Sequence, residues 1–410
     1  MSLTRFLPTP SDRMGILWSL LPIDNTVILE YGPAGTTHFS MGLFLELNID
    51  QENHLFTTHM SEDDVVMGDT RRLEDAIVEI DKNLSPKAIF VVASSVAAVI
   101  GSDIKGVCSY MQKKVKAKLI TFEQGGFRGD YSSGLKETYT MLVKEVCVDE
   151  PQKNDKKVNL IGFSMGAYRA LSDRHELKTL LKRAFNLEIG AVLCGKTDIA
   201  DIENMGGNVL NIVLSEEGRN AAELLNSRYG TPMILGAPYG YSGTLKWLQT
   251  ISETLNIPIN QEIIDEINDS LNNTRYYPIM TMMLKIDKPE IALIGEYNRI
   301  LGIGEFLSEL GFKSQKRICV HSLKSITNPN ESILYYNTES EKLSAVKNLH
   351  RAFILADDAT MSVCEKDNVF LRITMPIIKG AQIAKHLPFM GLRGADFILE
   401  SLEEYLQMLK

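Results

Sequence analysis

The chain has 410 residues, of which 44% are apolar and 23% are charged, and its formal net charge is -9. A chain of this length and composition can bury large cores, and we expect two or three domains. The acidic balance does not favour a nucleic-acid surface or a basic membrane-binding surface, because both depend on clustered Lys and Arg. We therefore expect neither nucleic acid nor membrane as a partner.

The first eighteen residues contain no apolar stretch long enough for a signal peptide or a membrane span, because Pro8, Pro10 and Asp12 interrupt them. This predicts a cytoplasmic protein. The cysteines are scattered and form no C-x-x-C pair, so the sequence indicates neither a disulfide framework nor a zinc site. They are Cys108, Cys147, Cys194, Cys319 and Cys364. We expect them to be small buried hydrophobic residues.

Short apolar or β-branched runs alternate with helical patterns along most of the chain, which is typical of parallel sheets with crossover helices. Strands are predicted at residues 26–31, 54–58, 88–93, 117–121, 158–162, 191–194, 209–214, 291–295 and 317–321. Helices are predicted at residues 72–84, 134–148, 174–184, 216–228, 244–255 and 297–310, with a further helical stretch around 260–284. The alternation predicts an α/β fold.

Two polar breaks divide this series. Residues 149–157 are mostly charged, contain Pro151 and precede a new strand, and a second break lies near residues 286–290. We therefore predict three α/β units, over residues 1–155, 156–286 and 287–410.

Residues 162–166, Gly-Phe-Ser-Met-Gly, match the G-x-S-x-G nucleophile elbow and lie between an apolar run and a helical pattern. A serine hydrolase acting through Ser164 would also need an acid and a later histidine, for which His321, His350 and His386 are the candidates. The simpler interpretation is a strand-to-helix turn that uses glycine for its tight geometry.

Residues 190–197 match the phosphate-loop pattern G-x-x-x-x-G-K-[ST]. A phosphate loop needs its variable residues to follow the strand, so that their N–H groups can surround a phosphate. Here residues 191–194 have the composition of the strand itself. We therefore interpret the match as an ordinary turn.

The first predicted strand leads into a turn with little side-chain bulk, Gly32–Gly35, and Thr36 is a plausible start for the following helix. Such a turn allows a large cofactor to approach the backbone. Taken alone, a helix cap is the simpler interpretation.

Eight passages, in order along nearly the whole chain, resemble the nitrogenase component 1 family. They are YGPAG at 31–35, TTHMSEDDVVMG at 57–68, IGSDI at 100–104, VNLIG at 158–162, LNIV at 210–213, IGE at 294–296, LRITMP at 371–376 and PFMGLRG at 388–394. That family includes the subunits of the molybdenum-iron protein, their cofactor scaffold subunits, the light-independent protochlorophyllide reductase subunits and the nickel-sirohydrochlorin reductive cyclase. The resemblance implies three Rossmann-like domains with parallel sheets around a central cleft, and a C-terminal helix at 396–409 that returns to the first domain.

The chain departs from the family at its cysteine positions. The resemblance places Thr36 where the family's G-P-x-G-C loop ends, Ser95 at a second cluster position and Ser11 at a third. Ser215 stands where cofactor-binding members have a further cysteine, and Ala381 falls where they have a histidine. The resemblance therefore assigns to the family's cluster or cofactor sites Gly32, Gly35, Thr36, Ser95, Ser11 and Ser215.

Thiolates hold iron-sulfur clusters because they are soft and ionise readily when metal binds, whereas hydroxyls are hard and weakly acidic. A site made only of hydroxyls should not hold a cluster, and Cys108, in an apolar setting, is a poor substitute. We therefore predict no resident metal and no cofactor in the isolated chain. A tetrapyrrole or metallocofactor remains a candidate ligand, and an iron-sulfur cluster is expected only with a partner subunit.

Three functions follow from these observations. The first is a cluster-free family member that serves as a subunit, or as a binding or scaffold partner, in a reductase or in a metallocofactor or tetrapyrrole system. The second is an active nitrogenase-like oxidoreductase whose cluster is held by other ligands or by a partner, and the third is a serine hydrolase. The resemblance implies a homodimer or a heterodimer with a component 1 homologue, and an iron-protein-like ATPase as a possible electron donor.

Overall fold

A computed structural model describes residues 9–38, 40, 55–275, 290–377 and 387–409. The helices are α1 (Asp12–Leu20), α2 (Glu62–Met67), α3 (Arg71–Leu84), α4 (Ser95–Val99), α5 (Ile104–Met111), α6 (Tyr131–Glu145), α7 (Ala170–Phe185), α8 (Ile199–Glu203), α9 (Arg219–Tyr229), α10 (Gly240–Leu255), α11 (Gln261–Thr274), α12 (Tyr297–Glu309), α13 (Glu339–Val346), α14 (Asp358–Met361) and α15 (Gly391–Leu409). The strands are β1 (Ile23–Asp24), β2 (Thr26–Tyr31), β3 (Leu55–Thr57), β4 (Ala88–Ala93), β5 (Lys118–Phe122), β6 (Asn154–Ile161), β7 (Glu188–Val192), β8 (Thr197–Asp198), β9 (Asn208–Val213), β10 (Met233–Leu235), β11 (Ile291–Gly295), β12 (Gln315–Cys319), β13 (Ile333–Leu334), β14 (Phe353–Ala356) and β15 (Val369–Arg372).

Three parallel sheets form the framework. Their strand orders are β3-β2-β4-β5, β10-β9-β6-β7 and β13-β12-β11-β14-β15. Every residue of β2, β4 and β11 is buried, as expected for parallel strands covered by helices on both faces. The predicted α/β fold with Rossmann-like units and parallel sheets is confirmed, and these three strands have the predicted bounds.

Polar side chains determine where many of the helices begin. Ser61 forms a capping box with Asp64 at the start of α2, and Ser94 accepts a hydrogen bond from the Ala97 N–H at the start of α4. Aspartates cap further helices in the same way; they are Asp103, Asp130, Asp198 and Asp357. Because most of these caps follow parallel strands, they lie at the carboxyl ends of the sheets.

Helix α1 connects the first unit with the second. All nine of its residues are buried, and it packs along α6. The Trp18 ring lies against Gly166, where an added Cβ would come within 2.9 Å of it. Immediately after α1, β1 pairs in parallel with β8 of the second predicted segment. The start of the chain is therefore built into the second unit.

The C-terminal helix differs from the expectation. α15 begins at Gly391 and packs mainly on α7 and α10, with further contact to β15, rather than returning to the first unit. Asp173 of α7 accepts hydrogen bonds from the N–H groups of Phe389 and Met390, at 2.6 and 3.1 Å. These buried polar contacts anchor the start of α15 between the second and third units.

The predicted domain boundaries remain a prediction. The three sheets draw their strands from residues 26–122, 154–235 and 291–372. α1 and α6, however, come from the first predicted segment and share a core with the second sheet. The boundary at 286 lies outside the described residues. Among the residues that are described, no helix has the length and apolar character needed to cross a bilayer.

Candidate functional site

A cavity of about 700 Å³ lies between the second and third sheets and is bordered by α1 and α6. Residues after β6 and β9 form one wall, the end of β12 forms another, and α1, α6 and α12 complete it. The carboxyl ends of strands in open α/β sheets are the usual place for ligands, because loops and helix N-termini converge there. Its volume suits a large organic ligand.

Six aromatic side chains contribute to the cavity lining. Trp18 and Tyr131 pack edge to face with ring centroids 5.4 Å apart, and Tyr131 packs in the same way on His321. The aromatic lining residues are Trp18, Tyr131, Phe163, Tyr239, Tyr335 and Tyr336. Aromatic surfaces of this kind bind flat conjugated molecules well.

The basic groups that line the cavity, among the described residues, are all paired with carboxylates. Arg299 lies 3.4 Å from Asp173, and Lys342 lies 3.5 Å from Asp357. Arg13 is paired with Glu30. A ligand in the cavity would therefore meet aromatic rings and paired charges rather than free cations.

Two of the three hydroxyl residues at the predicted cluster positions approach each other at Gly126. A Cβ on this glycine would lie 3.2 Å from Ser11 Oγ and 3.6 Å from Ser95 Oγ. Ser95 Oγ already donates a hydrogen bond to the Gly125 carbonyl at 2.5 Å. Ser11 also lines the cavity.

The third position, Thr36, belongs to a buried hydrogen-bond network. Arg13 and Glu30 form an ion pair whose side chains are 7% and 0% exposed. Glu30 accepts a hydrogen bond from Thr37 at 2.7 Å and shares the Thr36 hydroxyl, at 3.3 Å, with the Pro33 carbonyl at 2.9 Å; Arg13 donates to Ser40 at 3.2 Å. Internal pairing therefore engages the Glu30, Thr36, Thr37 and Ser40 side chains, while Arg13 Nε is buried without a hydrogen-bond partner.

Ser215 lies at the cavity wall directly after β9. Gly162, which follows β6 and has a φ of +80°, leaves room for it, since an added Cβ would lie 2.7 Å from Ser215 Oγ. Ala381, the predicted histidine position, lies outside the described residues. The role of Ser215 in holding a cofactor remains a prediction.

The donor chemistry at Ser11, Thr36 and Ser95 does not fit an iron-sulfur cluster. All three side chains are hydroxyls, and two of them already donate to backbone carbonyls. Cys108 lies in the core of the first unit, where burial raises the pKa of its thiol to about 12. Within the described part of the chain, no group of three or more His, Cys, Asp and Glu side chains is arranged to hold a metal ion.

Ser164 lines the cavity, but the hydrolase interpretation gains no support. Its Oγ accepts a hydrogen bond from the Gly166 N–H at 3.1 Å, and the next helix begins only at Ala170. His321 Nε2 accepts the Tyr297 N–H at 3.2 Å, and His350 pairs with Asp367. His386 lies outside the described residues.

We therefore expect a fluorophosphonate probe to leave Ser164 unmodified, because no histidine of the described residues is hydrogen-bonded to its hydroxyl to remove the proton. Mass spectrometry of the treated protein measures this directly. The Ser164→Ala variant is the matched control, and a probe adduct present in the wild type but absent from this variant would contradict the expectation.

The phosphate-loop match at residues 190–197 is an ordinary strand and turn, but the strand predicted at 191–194 is wrong: it lies at Glu188–Val192, and residues 193–194 belong to the turn. Gly190 lies inside β7, which ends at Val192. The turn that follows is closed by a hydrogen bond from the Gly195 N–H to the Val192 carbonyl. The four residues between β7 and β8 are too few to surround a phosphate.

No sequence motif pointed to several of the lining residues, including Glu217, Arg299 and Cys319. Arg299 and Cys319 come from the third unit, and they meet the second unit only through folding. Their spacing along the chain therefore carries no pattern.

Comparisons with known proteins agree with this architecture. The model of the family described as nitrogenase component 1 type oxidoreductase matches residues 11–407. The chain is 27% identical over 329 residues to the nitrogenase iron-molybdenum cofactor biosynthesis protein NifE of Clostridium pasteurianum, covering 77% of this chain and 70% of that protein. It is 22% identical to one of the subunits of the light-independent protochlorophyllide reductase of Heliobacterium modesticaldum, covering 72% of this chain and 56% of that protein.

The fold is similar to a solved structure titled "Nitrogenase Cp1 at pH 6.5", with a TM-score of 0.78 and 17% identity over 99% of this chain and 94% of that one. At this identity the likeness supports the fold, whereas the family match rests on nearly the whole sequence. The chain belongs to the nitrogenase component 1 type oxidoreductase family.

Proposed function

We propose that the protein is a binding or scaffold subunit of a component 1-type system, and that its central cavity holds a tetrapyrrole or another large metallocofactor. The observation that carries this proposal is a cavity of about 700 Å³ with aromatic walls, beside cluster positions that hold only hydroxyls. In this proposal the chain has no iron-sulfur cluster of its own. Any cluster in the complex belongs to a partner subunit.

The chemistry of the lining favours a conjugated ligand. Paired charges give little net attraction for a free polyanion, whereas the rings of Trp18, Tyr131 and Tyr239 offer stacking surfaces. The names of two relatives point to ligands of this size, one an iron-molybdenum cofactor and the other protochlorophyllide. We favour the tetrapyrrole, because the aromatic side chains of the lining can contact a large conjugated macrocycle.

An apolar edge of the first unit supports a paired subunit. Val66, Met67 and Val99 are 81%, 78% and 71% exposed, and Phe127 is 66% exposed. These side chains lie in the segments that follow β3, β4 and β5 along the chain. We propose that this edge meets a second copy or a component 1 homologue, and that an iron-protein-like ATPase reduces the complex.

The first test is binding of metal-free protoporphyrin to the anaerobically purified protein, followed by absorption spectroscopy. We expect binding of one molecule per chain. The Ala359→Trp substitution fills part of the cavity and should weaken binding by about tenfold or more. Ser227→Trp, on an exposed face of α9 outside the cavity, should leave the affinity unchanged. Equal affinities for both variants would exclude the cavity as the binding site.

Iron content tests the second half of the proposal. The chain purified alone should contain far less than one iron atom per molecule, because hydroxyls do not retain a cluster. Co-expression with a cysteine-bearing homologue should give an iron-containing complex. Stoichiometric iron in the isolated chain would contradict the cluster-free assignment and would favour the active reductase.

A further inference from the structure

The three basic side chains that line the cavity, among the described residues, differ in how far a ligand can reach them. The side chains of Arg13 and Arg299 are 7% and 5% exposed, whereas the side chain of Lys342 is 24% exposed. Lys342 and its carboxylate partner Asp357 both line the cavity. Of the three ion pairs, this one is therefore the most accessible to a ligand.

The two arginines are held where they are by buried partners. Arg299 donates to the Ile373 carbonyl and lies 3.4 Å from Asp173, whose side chain is 2% exposed. Arg13 is paired with Glu30, whose side chain is fully buried. Turning either guanidinium toward a ligand would leave a buried carboxylate without its countercharge, which is strongly unfavourable.

The partner of Lys342 does not depend on it in this way. Asp357 precedes α14, and Thr360 satisfies both of its carboxylate oxygens, through the backbone N–H at 2.8 Å and the hydroxyl at 2.6 Å. Lys342 Nζ lies 3.5 Å from Asp357 Oδ2, at the long end of the hydrogen-bond range. Asp357 therefore keeps two hydrogen bonds if Lys342 turns away.

The ammonium group of Lys342 has donors to spare. It carries three N–H groups, and the contact with Asp357 is its one hydrogen bond to the described part of the chain. The flexible stem of a lysine allows the charged end to move between acceptors. Tyr335 and Tyr336, just before α13, line the same cavity and can contact a macrocycle whose acidic substituent reaches Lys342.

We propose that Lys342 binds a carboxylate of the ligand, so that the cavity selects a tetrapyrrole with a free carboxylate over a neutral one. This inference rests on the proposed function, because it needs the macrocycle to occupy the cavity. On binding, the ammonium turns from Asp357 toward the ligand and exchanges one carboxylate for another. The hydrogen bond that forms is assisted by both charges and is stronger than one between neutral groups.

The test compares metal-free protoporphyrin, a dicarboxylic acid, with its neutral dimethyl ester, both added to the full-length protein in the same detergent. The two probes share a macrocycle and differ in charge. Wild-type protein should bind the acid about tenfold or more tightly than the ester. Lys342→Met should weaken binding of the acid by about the same factor and leave the affinity for the ester unchanged.

The ester is also the folding control, because its unchanged affinity shows that the cavity of Lys342→Met is intact. Lys342→Arg should keep most of the preference for the acid, since it keeps the positive charge. Lys347→Met, an exposed position that directly follows α13 and does not line the cavity, is the matched control and should keep both affinities.

The outcomes separate the two proposals. If the wild type binds both probes equally, or if Lys342→Met keeps the preference for the acid, the role of Lys342 is overturned and the cavity proposal stands. Equal weakening of both probes in Lys342→Met also overturns it, because the residue would then not distinguish the charge. If neither probe binds the wild type, the proposed function fails and the role of Lys342 fails with it.

Discussion

Replacing Arg13 with methionine is expected to lower the free energy of unfolding by about 3–5 kcal/mol. The substitution leaves the Glu30 carboxylate, which is fully buried, without its countercharge. Hydrogen bonds from Thr36 and Thr37 remain, but neutral donors do not replace a cation for a buried anion. Chemical denaturation monitored by circular dichroism measures the change.

A double-mutant cycle distinguishes a lost ion pair from lost packing. The Arg13→Met/Glu30→Met double variant should be more stable than Arg13→Met alone, because it removes the stranded charge. Arg183→Met is the matched control for an exposed pair. Arg183 and Glu266 are each nearly half exposed, and the cost should stay below about 1 kcal/mol. If the losses in unfolding free energy of the two single variants simply add in the double variant, the two side chains are not coupled.

Replacing Asp173 with alanine is expected to destabilise the protein by about 3 kcal/mol or more. Asp173 is 1% exposed, accepts two backbone hydrogen bonds ahead of α15 and faces Arg299 at 3.4 Å. Its removal leaves the N–H groups of Phe389 and Met390 buried without an acceptor. Arg299 keeps only Glu296, at 3.7 Å, as a nearby carboxylate.

The effect should concentrate at α15, because the lost bonds hold its first turn. Hydrogen-exchange mass spectrometry should show faster exchange across Gly391–Leu409 in Asp173→Ala, with the first sheet unchanged. Glu400→Ala, on the exposed face of the same helix, should leave exchange at the wild-type level. Uniformly faster exchange over the whole chain would contradict this local role.

Long buried strands could be predicted from the sequence because their composition is decisive. β4 and β11 are uninterrupted apolar runs, β2 is interrupted only by Glu30, and the structure gives all three the predicted bounds. β13 and β14 have only two and four residues and were missed, since a run so short resembles any loop. The path of α15 could not be predicted either, because it depends on Asp173 and Glu176, carboxylates on a distant helix.

The candidate site was predictable only where a motif marks it. Ser11 and Ser215 were predicted as site residues from the resemblance to the family, and both line the cavity. Thr36 does not line it, and its network with Arg13 and Glu30 was not anticipated, because buried ion pairs join residues that no spacing rule connects. Cys319 was classed with the other cysteines. Only the three-dimensional arrangement separates it from the four that lie elsewhere.

The position of α1 has a consequence for the order of folding during synthesis. α1 leaves the ribosome long before β8, the partner of the strand that follows it, because β8 lies far later in the chain. Until residues 154–235 emerge, this apolar helix has no second sheet to cover it. We expect the nascent chain to expose this apolar helix until the strands of the second sheet have been synthesised, which makes early release or truncation within residues 154–235 a route to aggregation.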